Sequence, residues 1–157
     1  MPAPRAQSPF DVEARRVWMR VLARAGANDI RAALREAGIE PTWTRVRGPE
    51  NGLVMVRGRA GGSGPPFNLG EMSVTRCTIS LPDGAVGHAY VAGRDHERAE
   101  LAAVADALLL GAAHENVYSN VVAPLAAAQA AARETTARKA AATRVDFFAL
   151  GTMRMTV

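Results

Sequence analysis

A chain of 157 residues with 48% apolar side chains is long enough to bury one core, yet it holds no membrane-length apolar run, because Asp106 breaks LAAVADALLLGAA and Pro124 breaks the next candidate. The net charge of +4 comes almost wholly from arginine, with Lys139 the one lysine, and no run of like charges resembles a nucleic-acid tail. A single cysteine excludes an internal disulfide, and MPAPRAQSP lacks the apolar core of a signal peptide, so the expected compartment is the cytoplasm.

Ser8, Pro9 and Asp11 mark a helix start, with a cap, a first-turn proline and a carboxylate at capping-box spacing. Phe10, Ala14, Val17, Trp18, Val21, Leu22 and Ala25 then recur with helical period until Gly26. Asn28 caps a second helix, with Ile30, Ala33, Leu34 and Ala37 on its apolar face and Gly38 and Pro41 at its end. The chain is therefore expected to open with an N-terminal helical hairpin.

The period then changes. Residues 42–47 and 53–59 are rich in β-branched side chains, and GPENG at 48–52 predicts a hairpin turn between them. Residues 69–81 predict a long strand, with Met72 and Val74 on one face and Cys77 and Ile79 on the other. Pro82, Asp83 and Gly84 turn the chain into a strand over 85–92. Four strands with short turns predict an antiparallel meander and an α+β fold.

Asp95 caps a third helix, with Glu97 and Glu100 in its first turn and Leu101, Val104, Ala105, Leu108 and Ala112 as its buried stripe. Residues 116–124 are expected to interrupt helicity. Residues 125–143 form an alanine-rich helix with small residues on every face, suited to close packing or to an assembly. Residues 144–150 predict a final short strand. The whole chain, 1–157, reads as one domain with flexible ends at 1–9 and 151–157.

The glycine-rich segment VRGRAGGSGPPFNLGEM fails as a phosphate loop. It has no lysine, Phe67 stands where a third glycine would be, and Pro65 and Pro66 prevent an immediate helix N-terminus. Its plainer reading is a strand connector whose prolines set direction. HERAE at 96–100 lacks the second histidine of a zinc helix, and His88, His96 and His114 have no ligand spacing. Cys77 reads as a small core residue, because adjacent Arg76 points to the opposite face and cannot lower its pKa. Arg45 and Arg47 share a strand face, as do Arg57 and Arg59. Paired across a hairpin they would form one guanidinium patch for phosphate or carboxylate. The competing reading is a solvated sheet face balanced by Glu40, Glu50 and Glu71, and patterning alone favours it.

ENGLVMVRGRAGGSGPPFNLGEMSVTRC closely resembles the hallmark stretch of the G subunit of the bacterial carbon–phosphorus lyase core complex, the α-D-ribose 1-methylphosphonate 5-triphosphate synthase subunit family. AYVAGRDHERAELAAVADALL, RVDFFAL and the opening RRVWMRVLARA are similar in the same order, while the tail GTMRMTV departs from the pattern. The resemblance implies phosphonate catabolism. It implies partnership with H, I and J subunits and an L protein, in a hetero-oligomer with paired G subunits. The reaction implied for G, H, I and L is displacement of adenine from ATP by a phosphonate. The iron–sulfur cluster and S-adenosylmethionine belong to the J subunit, so no cofactor, metal or catalytic residue is expected in this chain. The candidates for interface or phosphate contact are Arg57, Arg59, Gly61, Gly62, Gly64, Pro65, Pro66, Phe67, Asn68, Glu71, Arg76 and Arg94. Phe67 is the expected apolar anchor and Asn68 the expected partner of loop backbone groups. The alternative is a stand-alone basic module for nucleic acid or a phosphorylated ligand, which the sparse aromatics and missing lysine tract disfavour. An independent phosphotransferase is disfavoured by the failed loop and metal motifs.

Overall fold

Gly87 shows how tightly the layers meet. A Cβ there would lie 2.0 Å from the Ala103 carbonyl oxygen and 2.6 Å from the Ala107 nitrogen, so a strand rests directly on a helix backbone. The structure is a computed structural model that describes residues 12–145. The strand is β3 (Val86–Ala92) and the helix is α3 (His96–Leu109). Alanines make this approach possible: Ala99, Ala103, Ala105 and Ala107 are wholly buried beside Val104 and Leu109. Helix α3 is thus buried on nearly every side rather than along one stripe. Ala112, expected in that stripe, lies beyond the helix and is exposed.

Helices α1 (Val12–Leu22) and α2 (Ala27–Glu36) form the expected hairpin over α3. Trp18, Val21, Leu22, Ala25, Ile30 and Leu34 enter the core, whereas Val17 is exposed. Gly26, not Asn28, is the cap residue of α2. Asn28 instead accepts a hydrogen bond from Arg31. Asp95 caps α3 as expected, accepting the Arg98 backbone N–H at 2.9 Å.

The sheet is antiparallel and three-stranded, in the order β1 (Thr44–Arg59), β2 (Pro66–Ser80), β3. The expected fourth strand does not exist among the described residues. GPENG is no turn: β1 runs straight through it, with register irregularities between Arg45 and Arg47 and between Arg47 and Glu50. The reason is position. β1 is an edge strand, and an edge or a bulge accommodates a proline that a central strand would reject. The turn between the first two strands is the glycine segment itself. The turn at residues 82–84 is as expected, with Gly84 at φ 89° and Asp83 accepting the Ala85 N–H.

After α3 comes α4 (His114–Val117), a wider π-type turn (Tyr118–Val122) and α5 (Ala123–Ala142). Residues 116–124 are therefore helical, not an interruption. Pro124 is the second residue of α5, directly after the π-type turn. Arg144 and Val145 follow without regular structure. The cap at Ser8, Phe10, residues 146–150 of the strand expected over 144–150 and both chain ends lie outside the described residues.

One charge lies at the centre. Asp106 is fully buried. Its Oδ1 accepts from Arg15 Nε at 3.2 Å and Trp18 Nε1 at 2.9 Å. Its Oδ2 accepts from Arg15 Nη2 at 2.7 Å and the His88 backbone N–H at 3.0 Å. One carboxylate so ties α1, α3 and β3 together, with its acceptor capacity matched by donors.

Candidate interaction surface

β3 pairs with β2 only from Val74 to Ser80. Beyond that point β1 and β2 continue alone as a two-stranded arm, Leu53 opposite Ser73 and Arg59 opposite Pro66. Alternation in the sequence puts apolar side chains on both faces of this arm. Leu53, Met55, Leu69 and Met72 are exposed, with Leu69 at 65%. Phe67 is 46% exposed. Its ring covers Gly58, where a Cβ would lie 3.7 Å from ring carbons Cε1 and Cζ. A register shift between Val56 and Arg57 leaves Leu69 as the extra residue of β2.

The tip is a closed turn rather than a phosphate cradle. Ala60–Gly62 forms a short 3-10 turn, with Gly61 and Gly62 at φ 60° and 82°. The Gly64 N–H donates to the Ala60 carbonyl at 2.9 Å, and Arg59 Nη1 donates to the Gly64 carbonyl at 3.1 Å. A Cβ on Gly64 would meet that Ala60 oxygen at 2.7 Å. Pro65 ends the turn and Pro66 begins β2. Asn68 is exposed, and its side chain makes no hydrogen bond among the described residues, so it does not satisfy the loop backbone. The connector reading of the segment is the one the geometry supports.

The arginines divide into groups. Arg45 and Arg57 lie in one strand, on the order of 40 Å apart at its rise per residue, so the expected four-arginine patch does not form. The inner arginines meet carboxylates. Arg45 binds Glu100 with both Nε and Nη2, at 2.6 and 2.8 Å, beside the Trp43 Nε1 donor at 2.8 Å. Those hydrogen bonds hold Glu100 below the usual carboxylate range, and Glu100 holds the Arg45 guanidinium above its ordinary value. Glu50 receives Arg47 at 2.5 Å and Arg76 at 2.6 Å. The balanced sheet face therefore holds here, with Glu50 and Glu100 as its acids. Glu40 and Glu71 make no ion pair among the described residues. Arg57 and Arg94 also have no hydrogen-bond or ion-pair partner among them, and Arg59 is spent on the turn.

Other chemistry is dispersed. His88 meets Thr78 Oγ1, His96 meets Asn51 Oδ1, and His114 lies between the Trp18 and Tyr118 rings. Cys77 is buried as expected, and burial pushes its thiol up, away from reactivity. Among the described residues no group of three or more His, Cys, Asp or Glu could hold a metal ion. No helix among them is long and apolar enough to cross a membrane. The sequence reading missed Asp106 as an organising residue and missed the apolar arm around Phe67. A lone carboxylate inside an apolar helix was the signal for the first. Apolar residues at both parities in VMVRG and FNLGEM were the signal for the second.

The arm and the turn between its strands are the segments with the most distinctive residues, and the comparisons with known proteins span them. The family model for phosphonate metabolism protein PhnG matches residues 13–153. The chain is 45% identical over 150 residues to the α-D-ribose 1-methylphosphonate 5-triphosphate synthase subunit PhnG of Rhizobium meliloti (strain 1021), covering 96% of each chain. The matched span includes both the arm and α3, and the chain belongs to the PhnG family of phosphonate metabolism proteins.

Proposed function

We propose that this chain is an accessory subunit of an α-D-ribose 1-methylphosphonate 5-triphosphate synthase, acting in the cytoplasm in phosphonate catabolism. Its partners are the H and I subunits and the L protein, joined by J in a hetero-oligomer with paired G subunits. The reaction is displacement of adenine from ATP by a phosphonate. The iron–sulfur and S-adenosylmethionine chemistry belongs to J, and this chain brings no cofactor. The observation that carries the reading is the arm. A two-stranded hairpin is marginal in water on its own, and one with Leu53, Met55, Phe67 and Leu69 exposed loses free energy until another surface covers it. Paired inner arginines weigh against a nucleic-acid module, since a phosphate backbone would have to displace carboxylates already bound.

The test is co-expression with tagged H, I and J subunits, followed by adenine release from ATP and methylphosphonate with L added. The complex is expected to turn over and the purified chain alone to release no adenine. Adenine release by the isolated chain, or its failure to co-purify, would overturn the reading. Arg57→Ala refines it. Loss of co-purification places Arg57 against an acidic neighbour. An intact complex with a raised KM for ATP places it on substrate.

A further inference from the structure

Where the arm leaves the body, an open pocket of about 240 Å³ is lined by Asn51, Gly52, Leu53, Ser73 and Arg94. Three of these residues carry donors without an acceptor among the described residues: the Arg94 guanidinium, the Ser73 hydroxyl and the Asn51 amide nitrogen. Their frame is fixed. The Gly93 N–H donates to the Ser73 carbonyl at 2.8 Å, and Gly93 at φ 94° turns the chain so that Arg94 follows directly. Thr75, fully buried, sets its hydroxyl 3.0 Å from Asn51 Oδ1 and 2.8 Å from the Gly93 carbonyl. His96 Nε2 holds the same Oδ1 at 3.1 Å. Thr75 has one hydroxyl proton for these two acceptors, so it is His96 as its Nε2–H tautomer that donates to the Asn51 oxygen and leaves the amide nitrogen over. The carboxylates that follow Arg94 are engaged elsewhere: Asp95 caps α3, and Glu97 pairs with Arg31.

We propose that Arg94, Ser73 and Asn51 bind a tetrahedral phosphoryl or phosphonyl oxyanion. A planar guanidinium with a hydroxyl and an amide donor matches several oxygens on one phosphorus, and unpaired donors gain most from an ionised acceptor. The other described arginines of the sheet lack this combination, because Arg45, Arg47 and Arg76 are ion-paired, Arg59 is bound to the turn and Arg57 stands alone on the arm. The inference goes beyond the subunit reading and does not depend on it.

The experiment is calorimetric titration of the full-length chain with tripolyphosphate, methylphosphonate and, as a control, acetate. Saturable binding of a phosphorus oxyanion is expected, with acetate much weaker. Arg94→Ala should weaken it by about tenfold or more, the loss of one charge-assisted contact. Its unliganded Tm should not move, because the side chain is exposed and unpaired. Arg138→Ala, with the same charge change on the exposed part of α5, should bind as the parent does. Tighter binding of tripolyphosphate assigns the site to nucleotide phosphates, and tighter binding of methylphosphonate assigns it to the phosphonate. Equal weakening by both arginine variants would reduce the effect to diffuse charge attraction, and absence of saturable binding in the parent would remove the site.

Discussion

Asp106 carries more of the fold than any apolar neighbour of its size, because four donors converge on it in the core. Removing it leaves a guanidinium and an indole N–H facing apolar surroundings. Breaking a buried, hydrogen-bonded ion pair by deleting one partner costs about 3–5 kcal/mol. Asp106→Ala is therefore expected to lower the urea midpoint by that equivalent at unchanged m-value. Arg15→Met, which leaves the fully buried carboxylate without its counter-charge, should cost at least as much. A midpoint shift below about 1 kcal/mol for Asp106→Ala would show that water replaces the carboxylate. At this scale the sequence is readable where one residue type has one task. Asp95, Gly84 and Cys77 sit as expected because a cap, a left-handed turn and a small strand residue are local requirements. Asp106 was legible only as a break in an apolar run, since its partners are 88 and 91 residues away in the chain.

At the scale of elements, the arm separates packing from recognition. Phe67 lies across Gly58 and stays about half exposed, so it contributes to the ribbon while offering a face to a partner. Phe67→Ala should change the stability of the free chain by under about 1 kcal/mol, as for a partly exposed side chain. In the assembly a central aromatic anchor is worth about 2 kcal/mol or more, roughly thirtyfold in affinity. Thermal melts of the free variant and its recovery with tagged partners read the two effects apart. Equal losses in both would make Phe67 an ordinary packing residue. The sequence showed the strands here but split the first of them in two. Gly48, Pro49 and Gly52 carry every local mark of a turn, and nothing local reveals that an edge strand absorbs them as bulges. The true turn was legible as a strand connector, because its prolines and missing lysine speak against a phosphate loop.

Among the described residues the molecule has a body and two projections, the arm and the end of α5. Helix α5 enters the body only at its start. Leu125 and Ala126 pack against the core, and Gln129 Nε2 donates to the Val21 carbonyl at 2.9 Å. From residue 131 to 145 every side chain is exposed. The helical part of that stretch spans about 18 Å at the usual rise per residue. Alanine sustains it by intrinsic propensity, but a helix so short has little stability of its own. A chain ending at Ala132 should therefore melt within a few degrees of the full chain, because none of the described core residues has been removed. It should nonetheless be lost from the complex if α5 and the segment after it are docking elements. The truncated chain, co-expressed with tagged partners, checks this by pull-down. Full recovery would leave the arm as the sole attachment. A collapse of the free truncated chain's melting temperature would instead show that the far half of α5 supports the body.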